Sequence, residues 1–391
     1  MKKTLIRALS FCMILALLTG LMAPFASAID YEGVEPITLE AAAGLLIDLD
    51  TDQVLYEQNA DGQRYPASIT KIMTALLTLE AVGRGELDLS TVVTVDAAAL
   101  KDLTSDSSTA NLKAGEEITV HDLLYCLMLA SANEAANILA MTVCGDIPTF
   151  VERMNQRAQE LGMKDTHFCN CNGLPAEGHV TSAYDIALMS RQLLQYDLIR
   201  DYVGIWMDSI REGTFQLANT NKLIYYYDGA TGLKTGSTDA AGYCISASAQ
   251  REGMELIAVV LGSPTSKERF NTAKALLNYG FGAYALADVT PEQPLPALPV
   301  QLGQAEQVEL ALAQTGKLLV KKEERSKVTS ELQLEQALKA PVSQGQEVGK
   351  LVVSVDGKER MTIPVVTQTQ VPRLTFSGMF GSLWRRMATG K

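Results

Sequence analysis

Three short motifs combine serines, an asparagine and two lysines in a way that could support acyl transfer. They are Ser68-Ile69-Thr70-Lys71, Ser131-Ala132-Asn133 and Lys234-Thr235-Gly236. Each motif is common by chance, but the three in this order are much rarer. A lysine that follows a serine by three residues can remove the proton of the serine hydroxyl, as histidine does in other enzymes. The set therefore predicts a serine nucleophile that becomes covalently acylated.

The first motif is predicted to lie where a helix begins. Pro66 cannot occupy a helix interior, and apolar residues recur at helical spacing from Ile72 to Leu79. Residues three apart share a helix face, so the Lys71 amine can reach the Ser68 hydroxyl. The positive N-terminal end of the helix dipole and burial both favour the neutral form of Lys71. The free backbone N–H groups at the same helix end could bind a developing oxyanion. Taken alone, the motif is more often a capping serine beside a surface lysine.

The second motif is predicted to lie between two helices. Thr119 and Asp122 resemble a capping box before an apolar helix, and a second apolar stretch runs from Ala135 to Met141. A functional loop would explain why small polar residues lie between two such apolar stretches. Before the other motifs are considered, an ordinary turn in which Ser131 caps the second helix is an equally good interpretation.

The third motif is predicted to lie on a strand. Residues 230–236, 242–249 and 256–261 indicate consecutive antiparallel strands, with the lysine strand exposed on one side. An extended peptide could pair with that strand, and Gly236 would allow its close approach. Lys234 would offer a positive charge to a substrate carboxylate, and its field would help keep Lys71 neutral. The alternative is a solvated lysine in a glycine-rich hairpin.

Further segments carry a family resemblance beyond the three motifs. They are residues 65–74, 163–168, 172–174, 234–243 and 276–281. With them the chain resembles the low-molecular-mass penicillin-binding proteins, specifically the serine-type D-alanyl-D-alanine carboxypeptidases, over roughly residues 36 to 366. The resemblance implies an α/β (α+β) transpeptidase-like domain with an antiparallel sheet and a helical subdomain. Cys169-Asn170-Cys171 departs from the family pattern without touching a catalytic position.

The resemblance implies roles for the residues of the first two motifs. Ser68 would be the acylated nucleophile and Lys71 its general base. Ser131 and Asn133 would belong to a loop that shuttles protons and holds the substrate. The oxyanion would be bound by the backbone N–H groups of Ser68 and Ser237.

The resemblance also implies the substrate. Lys234 and Thr235, beside Gly236, would bind the carboxylate of the terminal D-alanine of a peptidoglycan stem peptide. The terminal D-alanine would be expelled, the acyl-enzyme would be hydrolysed, and β-lactams would inhibit by forming an acyl-enzyme that hydrolyses slowly. A secreted serine β-lactamase and a non-catalytic penicillin-binding protein of the cell wall are the alternatives. Rates of penicillin hydrolysis and of D-alanine release would separate the three.

The N-terminus predicts export. Basic residues lie near the start, an apolar run extends from Phe11 to Leu21, and small residues end at Ala28. Residues 1–28 therefore read as a signal peptide, too short to be favoured as a permanent membrane span. Its removal would change the net charge from −12 to −15, because it contains three basic and no acidic residues. Such acidity argues against nucleic-acid binding, and the outer face of the cytoplasmic membrane is the expected location.

The cysteines and histidines give little support to other chemistry. Five cysteines remain beyond the signal peptide, an odd number that cannot all pair within one chain. Cys126, Cys144 and Cys244 lie in apolar stretches and are expected to be buried thiols. Cys169 and Cys171 have no second cysteine pair at zinc-finger spacing, although His167 and His179 are near, so we predict no metal and no cofactor. Three histidines and no G-x-S-x-G motif also disfavour a Ser-His-Asp triad or a Cys-His hydrolase.

The chain is too long for one ordinary domain. We predict a catalytic domain over 29–284, which closes with a helix from Ser266 to Tyr279, and then a proline-rich linker. The segment 285–371 is predicted to be an all-β domain. Short alternating strand patterns follow the linker, and Asp356-Gly357 is a strong hairpin turn. It carries no catalytic constellation and is interpreted as a spacer or platform.

The last segment, 372–391, is predicted to be an amphipathic helix that anchors the protein to a membrane surface. Its apolar residues recur at mostly helical spacing: Leu374, Phe376, Met379, Phe380, Leu383, Trp384 and Met387. Its positive charges are Arg373, Arg385, Arg386 and Lys391. The segment is too short and too charged to span a bilayer but fits one that lies in the interface. The alternative is a helix packed on the all-β domain.

Overall fold

The computed structural model of the protein describes residues 37–291, 293–314, 316–376 and 378. The predicted signal peptide lies outside these ranges, and so does the predicted tail helix apart from residues 372–376 and 378. Within the described residues, no helix is both long and apolar enough to cross a membrane. The chain divides into two compact units. The first holds most residues up to Tyr279, and the second holds those from Gly280 onward together with Leu49–Gln53 and Arg251–Met254.

The described helices and strands alternate along the chain. The helices are α1 (Lys71–Gly83), α2 (Val120–Met128), α3 (Asn133–Cys144), α4 (Ile147–Glu160), α5 (Ala183–Leu194), α6 (Arg200–Val203), α7 (Leu223–Tyr226) and α8 (Ser266–Ala283). The strands up to the end of α8 are β1 (Ala43–Asp48), β2 (Val54–Gln58), β3 (Val92–Thr94), β4 (Glu117–Thr119), β5 (Met207–Ile210), β6 (Phe215–Ala218), β7 (Ala230–Thr238), β8 (Gly242–Arg251) and β9 (Met254–Ser263). Short 3₁₀ helices cover Ala67–Thr70, Ala97–Leu100 and Asp197–Ile199.

A five-stranded sheet forms the framework of the first unit. Its order is β2-β1-β9-β8-β7, so the strand that carries Lys234 lies at the edge, as predicted. β7 pairs antiparallel with β8, with Lys234 opposite Ser246 and Gly236 opposite Cys244. All six residues of β1 are buried, which is typical of a strand covered on both faces. The predicted antiparallel sheet is confirmed.

Helix α1 is the centre of the helical part. Its residues from Lys71 to Ala81 are buried on every side, because α2, α3, α4 and α5 all pack against it. The helix does not begin at Ser68. The 3₁₀ turn Ala67–Thr70 follows Pro66, and Lys71 is the first α-helical residue. Ser68 therefore lies just before the first turn of the helix, within the predicted range of positions.

The break between the next two helices is also as predicted. The Thr119 hydroxyl caps α2 by accepting a hydrogen bond from the Asp122 N–H at 3.1 Å. Because α2 ends at Met128 and α3 begins at Asn133, Ser131 lies in the short connection. Ser131 has a φ of +60°, in the left-handed region that non-glycine residues rarely adopt.

The second unit contains the strands β10 (Tyr284–Val289), β11 (Leu298–Gln301), β12 (Gln307–Val308), β13 (Leu310–Leu312), β14 (Gly316–Lys321), β15 (Val328–Leu334), β16 (Leu338–Lys339), β17 (Glu347–Val355) and β18 (Lys358–Thr367). From β10 to β18 its regular structure is all β, apart from one 3₁₀ turn at Lys322–Lys327. The β17–β18 hairpin turns at Asp356 and Gly357, whose φ values of +52° and +74° fit a type I′ turn. The predicted all-β module is confirmed.

Strand β10 was not predicted. It lies before the proline-rich segment and pairs along its whole length with β14, which lies after it. The two strands contribute Ala287, Val289, Leu318 and Val320 to one apolar cluster. Pairing between distant segments leaves no local signal, so the sequence predicts no strand here and sets the boundary between the two domains after Tyr284, the first residue of β10. Helix α8 begins at Ser266 as predicted but continues to Ala283.

Candidate active site

The structure brings the first two motifs together around the Lys71 amine. Lys71 Nζ lies 2.9 Å from Ser68 Oγ and 2.7 Å from Asn133 Oδ1, and it contacts the main-chain oxygen of Asn172. The last two partners can only accept. A charged amine can donate to all three, including the Ser68 oxygen, whereas a neutral amine has two N–H groups for the last two and one lone pair left for the Ser68 hydroxyl. In its neutral form Lys71 is therefore placed to take the serine proton.

Burial sets the charge of this amine. Lys71 is completely buried, and the loss of hydration lowers its pKa to about 7. Cys171, Glu134 and Asp102 oppose the shift. A substantial fraction of the amines is therefore neutral at neutral pH. The surface-lysine interpretation of this motif is wrong.

The edge strand β7 lies directly against the turn that carries Ser68. A Cβ atom on Gly236 would lie 2.8 Å from the Ser68 nitrogen and 3.0 Å from the Ile69 nitrogen. Only glycine permits this approach. Sequence analysis assigned the space at Gly236 to a substrate, whereas the structure fills it with the nucleophile turn. The next residue, Ser237, is exposed and lines the cleft beside Ser68.

Lys234 is buried instead of solvated, so the hairpin interpretation is wrong. Its Nζ donates to the Thr235 carbonyl oxygen at 3.0 Å. Burial lowers its pKa well below the usual range, and the charges of Lys71 and Arg269 lower it further. The sequence predicts that the charge of Lys234 helps to keep Lys71 neutral. In the structure, burial is the main cause of the low Lys71 pKa, and the repulsion between the two lysines lowers the pKa of Lys234.

Two contacts hold the strand in place beside the lysines. The Thr235 hydroxyl donates to Thr220 Oγ1 at 2.8 Å. The buried Arg269 on α8 donates to the carbonyl oxygens of Gly236 at 3.2 Å and of Cys244 at 3.3 Å. Arg269 is not predictable from the sequence, because no motif marks an arginine that reaches strands from a distant helix.

Ser131 takes part differently from its neighbour Asn133. The Asn133 side chain contacts Lys71 and lines the cleft. The Ser131 hydroxyl is buried and has no hydrogen-bond partner among the described residues. The structure therefore joins Ser68, Lys71 and Asn133 by hydrogen bonds, whereas the hydroxyl of Ser131, two residues before Asn133, has no hydrogen-bond partner among the described residues.

A polar network that sequence analysis missed fixes the loop carbonyl on Lys71. The Asn172 side chain donates to Asp102 Oδ2 at 2.7 Å, and the Asn137 side chain donates to Asp102 Oδ1 at 2.8 Å. Asp102 thus ties the loop that contains Asn172 to helix α3. Only the family resemblance marks the 172–174 segment in the sequence, and nothing in the sequence pairs it with Asp102.

The site opens into a cleft of about 690 Å³. Ser68, Asn133 and Ser237 line it, and the carboxylates of Asp106 and Asp239 lie in its wall. A cleft of this size accommodates a short peptide end or a small molecule.

The remaining thiols stand apart from this chemistry. Cys126 and Cys244 are buried as predicted, whereas Cys144 is half-buried. Burial raises the pKa of Cys126 to about 12 and that of Cys244 to about 11, so neither is a reactive thiolate. Within the described part of the chain, no three His, Cys, Asp or Glu side chains are grouped to hold a metal ion.

Comparison with known proteins gives consistent matches. The D-alanyl-D-alanine carboxypeptidase family profile, peptidase S11, matches residues 30–265, and that of the penicillin-binding protein 5 C-terminal domain matches residues 292–373. D-alanyl-D-alanine carboxypeptidase DacF of Bacillus subtilis is 38% identical over 86% of this chain and 87% of its own. DacC of Escherichia coli is 33% identical over 93% and 91%. The crystal structure of penicillin-binding protein 5 from Haemophilus influenzae matches with a TM-score of 0.76 at 29% identity, over 87% of this chain and 100% of the other.

The low pKa of Lys71 predicts the pH dependence of Ser68 acylation. The protonated amine cannot accept the serine proton, so below pH about 7 the acylation rate should fall by about tenfold per pH unit. Above that pH the rate should level off. The measurement is the second-order rate constant for labelling by a fluorescent penicillin across this range, checked against Tm at each pH. A flat profile, or a midpoint near the usual lysine pKa, would contradict the assignment of Lys71 as the base.

Proposed function

The chain belongs to the D-alanyl-D-alanine carboxypeptidase family, and we propose that it removes the terminal D-alanine from peptidoglycan stem peptides that end in D-Ala-D-Ala. One observation carries the proposal above the others. The amine of a completely buried lysine lies 2.9 Å from Ser68 Oγ, and its pKa is lowered to about 7. This pair can generate a serine nucleophile at neutral pH.

Acylation follows from this geometry. Ser68 Oγ attacks the carbonyl carbon of the penultimate D-alanine while its proton moves to Lys71 Nζ. The N–H groups of Ser68 and Ser237 bind the oxyanion that develops. The C–N bond then breaks, and the proton passes from Lys71 to the leaving nitrogen through the free hydroxyl of Ser131. D-Alanine leaves with a neutral amino group.

Deacylation uses the same base. A water molecule gives its proton to Lys71 as its oxygen attacks the acyl carbon, and Ser68 regains a proton when the ester bond breaks. A β-lactam would acylate Ser68 in the same way. Its leaving nitrogen stays attached to the acyl group after the ring opens, so it remains in the cleft and hinders the attack of water.

Lys234, Thr235 and Asn133 are proposed to hold the substrate. An incoming carboxylate would stabilise the charged form of Lys234 and compensate the hydration that burial has removed. The Thr235 hydroxyl lies next to Lys234 on the same edge strand. The substrate backbone would lie along β7 on the side where Ser237 is exposed.

We also propose the location and division of the chain. Residues 1–28 would direct export, and the protein would act at the outer face of the cytoplasmic membrane. The catalytic domain would cover 29–284, the all-β domain 285–371 and the anchoring helix 372–391. Phe376, a residue of the tail within the described ranges, is 81% exposed, which fits a side chain available to a lipid surface.

The first test asks which serine is acylated and what is released. The purified protein should release D-alanine from a peptide ending in D-Ala-D-Ala, and mass spectrometry after benzylpenicillin treatment should place the adduct on the Ser68 peptide. Ser68→Ala should lose both reactions, whereas Ser237→Ala should still be labelled, because its backbone N–H remains. An adduct on Ser131, or labelling of Ser68→Ala at the original rate, would overturn the assignment. Rapid penicillin turnover without D-alanine release would favour a β-lactamase.

The second test separates the two lysines. Lys234→Ala should lower kcat/KM for a free-carboxylate peptide by about 10- to 100-fold, the usual cost of a lost charged hydrogen bond. The same variant should change little with a peptide amide, while Lys71→Ala should abolish reaction with both. Lys222→Ala, at an exposed lysine outside the cleft, is the matched control. Equal losses of Lys234→Ala on both peptides would contradict a carboxylate-binding role.

The third test concerns the tail. A variant that ends at Val371 should keep its activity and Tm but remain in the supernatant when centrifuged with anionic vesicles. The full mature chain should sediment with those vesicles, and less so as salt rises, because basic residues contribute to binding. Neutral vesicles serve as the control. Equal sedimentation of both forms would show that the tail is not the anchor.

A further inference from the structure

A buried chain of hydrogen bonds runs from a loop to the turn that carries the nucleophile. The Cys169 N–H donates to His179 Nδ1 at 2.9 Å. The other ring nitrogen, Nε2, lies 2.8 Å from Thr70 Oγ1, and Thr70 Oγ1 donates to the Ala67 carbonyl oxygen at 2.9 Å. His179, Thr70 and Ala67 are each at most 2% exposed.

The direction of every bond in this chain is determined. Because Nδ1 accepts from a backbone N–H, it carries no proton, and a neutral ring must carry its proton on Nε2. Nε2–H therefore donates to Thr70, whose own hydrogen is used on Ala67. Burial lowers the pKa of His179 to about 4, with a further contribution from His167, so the ring is neutral near pH 7.

The hydrogen-bond chain ends at the peptide group that joins Ala67 to Ser68. The Ala67 carbonyl and the Ser68 N–H belong to the same planar peptide unit, so fixing one fixes the direction of the other. Ala67 has a φ of +49°, a left-handed conformation that is rare for a residue with a side chain and that needs support from its surroundings. The Ser68 N–H is the donor that would bind the oxyanion.

The same loop supports this peptide group at a second point. Gly173 has a φ of +87°, and a Cβ atom there would lie 2.0 Å from the Ala67 oxygen. The segment from Cys169 to His179 therefore constrains the Ala67 carbonyl by close packing and, through Thr70, by a directed hydrogen bond.

We propose that His179 is a positioning residue of the oxyanion hole, which acts through Thr70 to orient the Ser68 N–H. The inference rests on the proposed acyl-enzyme chemistry and adds a role to a residue whose place in the sequence suggests only a metal site or a Cys-His hydrolase. His179 is not among the residues that line the cleft beside Ser68. Its effect reaches the transition state through the peptide group, where a misdirected donor stabilises the oxyanion less well.

Two pairs of variants test the link at each end. Thr70→Val removes the hydroxyl with little change of shape, while Thr70→Ser keeps it. His179→Asn retains an acceptor near the Nδ1 position but has no group near Nε2, whereas His179→Gln places a donor near Nε2. Thr70→Val and His179→Asn should lower kcat for D-alanine release by about 10- to 100-fold, with KM changed by less than about twofold, because the oxyanion forms only in the transition state. Thr70→Ser and His179→Gln should recover most of the loss.

The outcomes separate positioning from simple structural support. Loss of kcat at unchanged KM, with rescue by the conservative variants, supports the proposal. Equal activity of Thr70→Val and Thr70→Ser, or a rise in KM with kcat intact, overturns it. If the His179 variants do not fold, as shown by Tm, the Thr70 pair alone decides. The rate of labelling by fluorescent penicillin is measured in parallel. A wild-type protein that is labelled on Ser68 but releases no D-alanine would refute the proposed substrate, while the labelling rates would still judge the role of His179.

Discussion

The rest of the site depends on one interaction, the contact of a buried, unhydrated lysine amine with a serine hydroxyl. Lys71 is enclosed by helices that pack around α1, and this enclosure lowers its pKa to about 7. Burial of an amine is costly unless its hydrogen bonds are replaced. Asn133 and the Asn172 carbonyl replace two of them, so that in the neutral amine the lone pair is left for the Ser68 hydroxyl. The same two hydrogen bonds therefore make the buried Lys71 amine stable and hold it beside the Ser68 hydroxyl.

The elements around this contact are specialised for placing backbone groups as much as side chains. Gly236 lets an edge strand lie against the Ser68 turn, and Gly173 lets a loop lie against the Ala67 carbonyl. Arg269 holds the strand from the other side through the Gly236 carbonyl oxygen. Side chains with a Cβ atom at the two glycines would separate these segments. Close backbone packing is what brings two distant segments, the Ser68 turn and strand β7, to one cleft.

Much of this arrangement could be predicted from the sequence, because its signals are local. The Thr119 cap, the connection that contains Ser131, the edge position of the Lys234 strand and the Asp356-Gly357 turn follow from spacing and turn chemistry. The missed features are tertiary. Asp102 meets Asn172 across 70 residues, and Arg269 reaches a strand 33 residues away. A residue pattern does not reveal which carbonyl a buried lysine will contact, nor that an alanine will adopt a positive φ.

Under the proposed function, the two buried lysines need different protonation states during catalysis, and the substrate can supply the difference. Without substrate, burial disfavours the charged form of both amines. A carboxylate beside Lys234 favours its protonation, since opposite charges attract strongly where water is excluded. The resulting positive charge then disfavours protonation of Lys71 and keeps that amine a base. Under the proposed function, recognition of the substrate terminus and activation of Ser68 are thus coupled by the same short-range repulsion. This coupling gives a physical reason for placing a second lysine so close to the first.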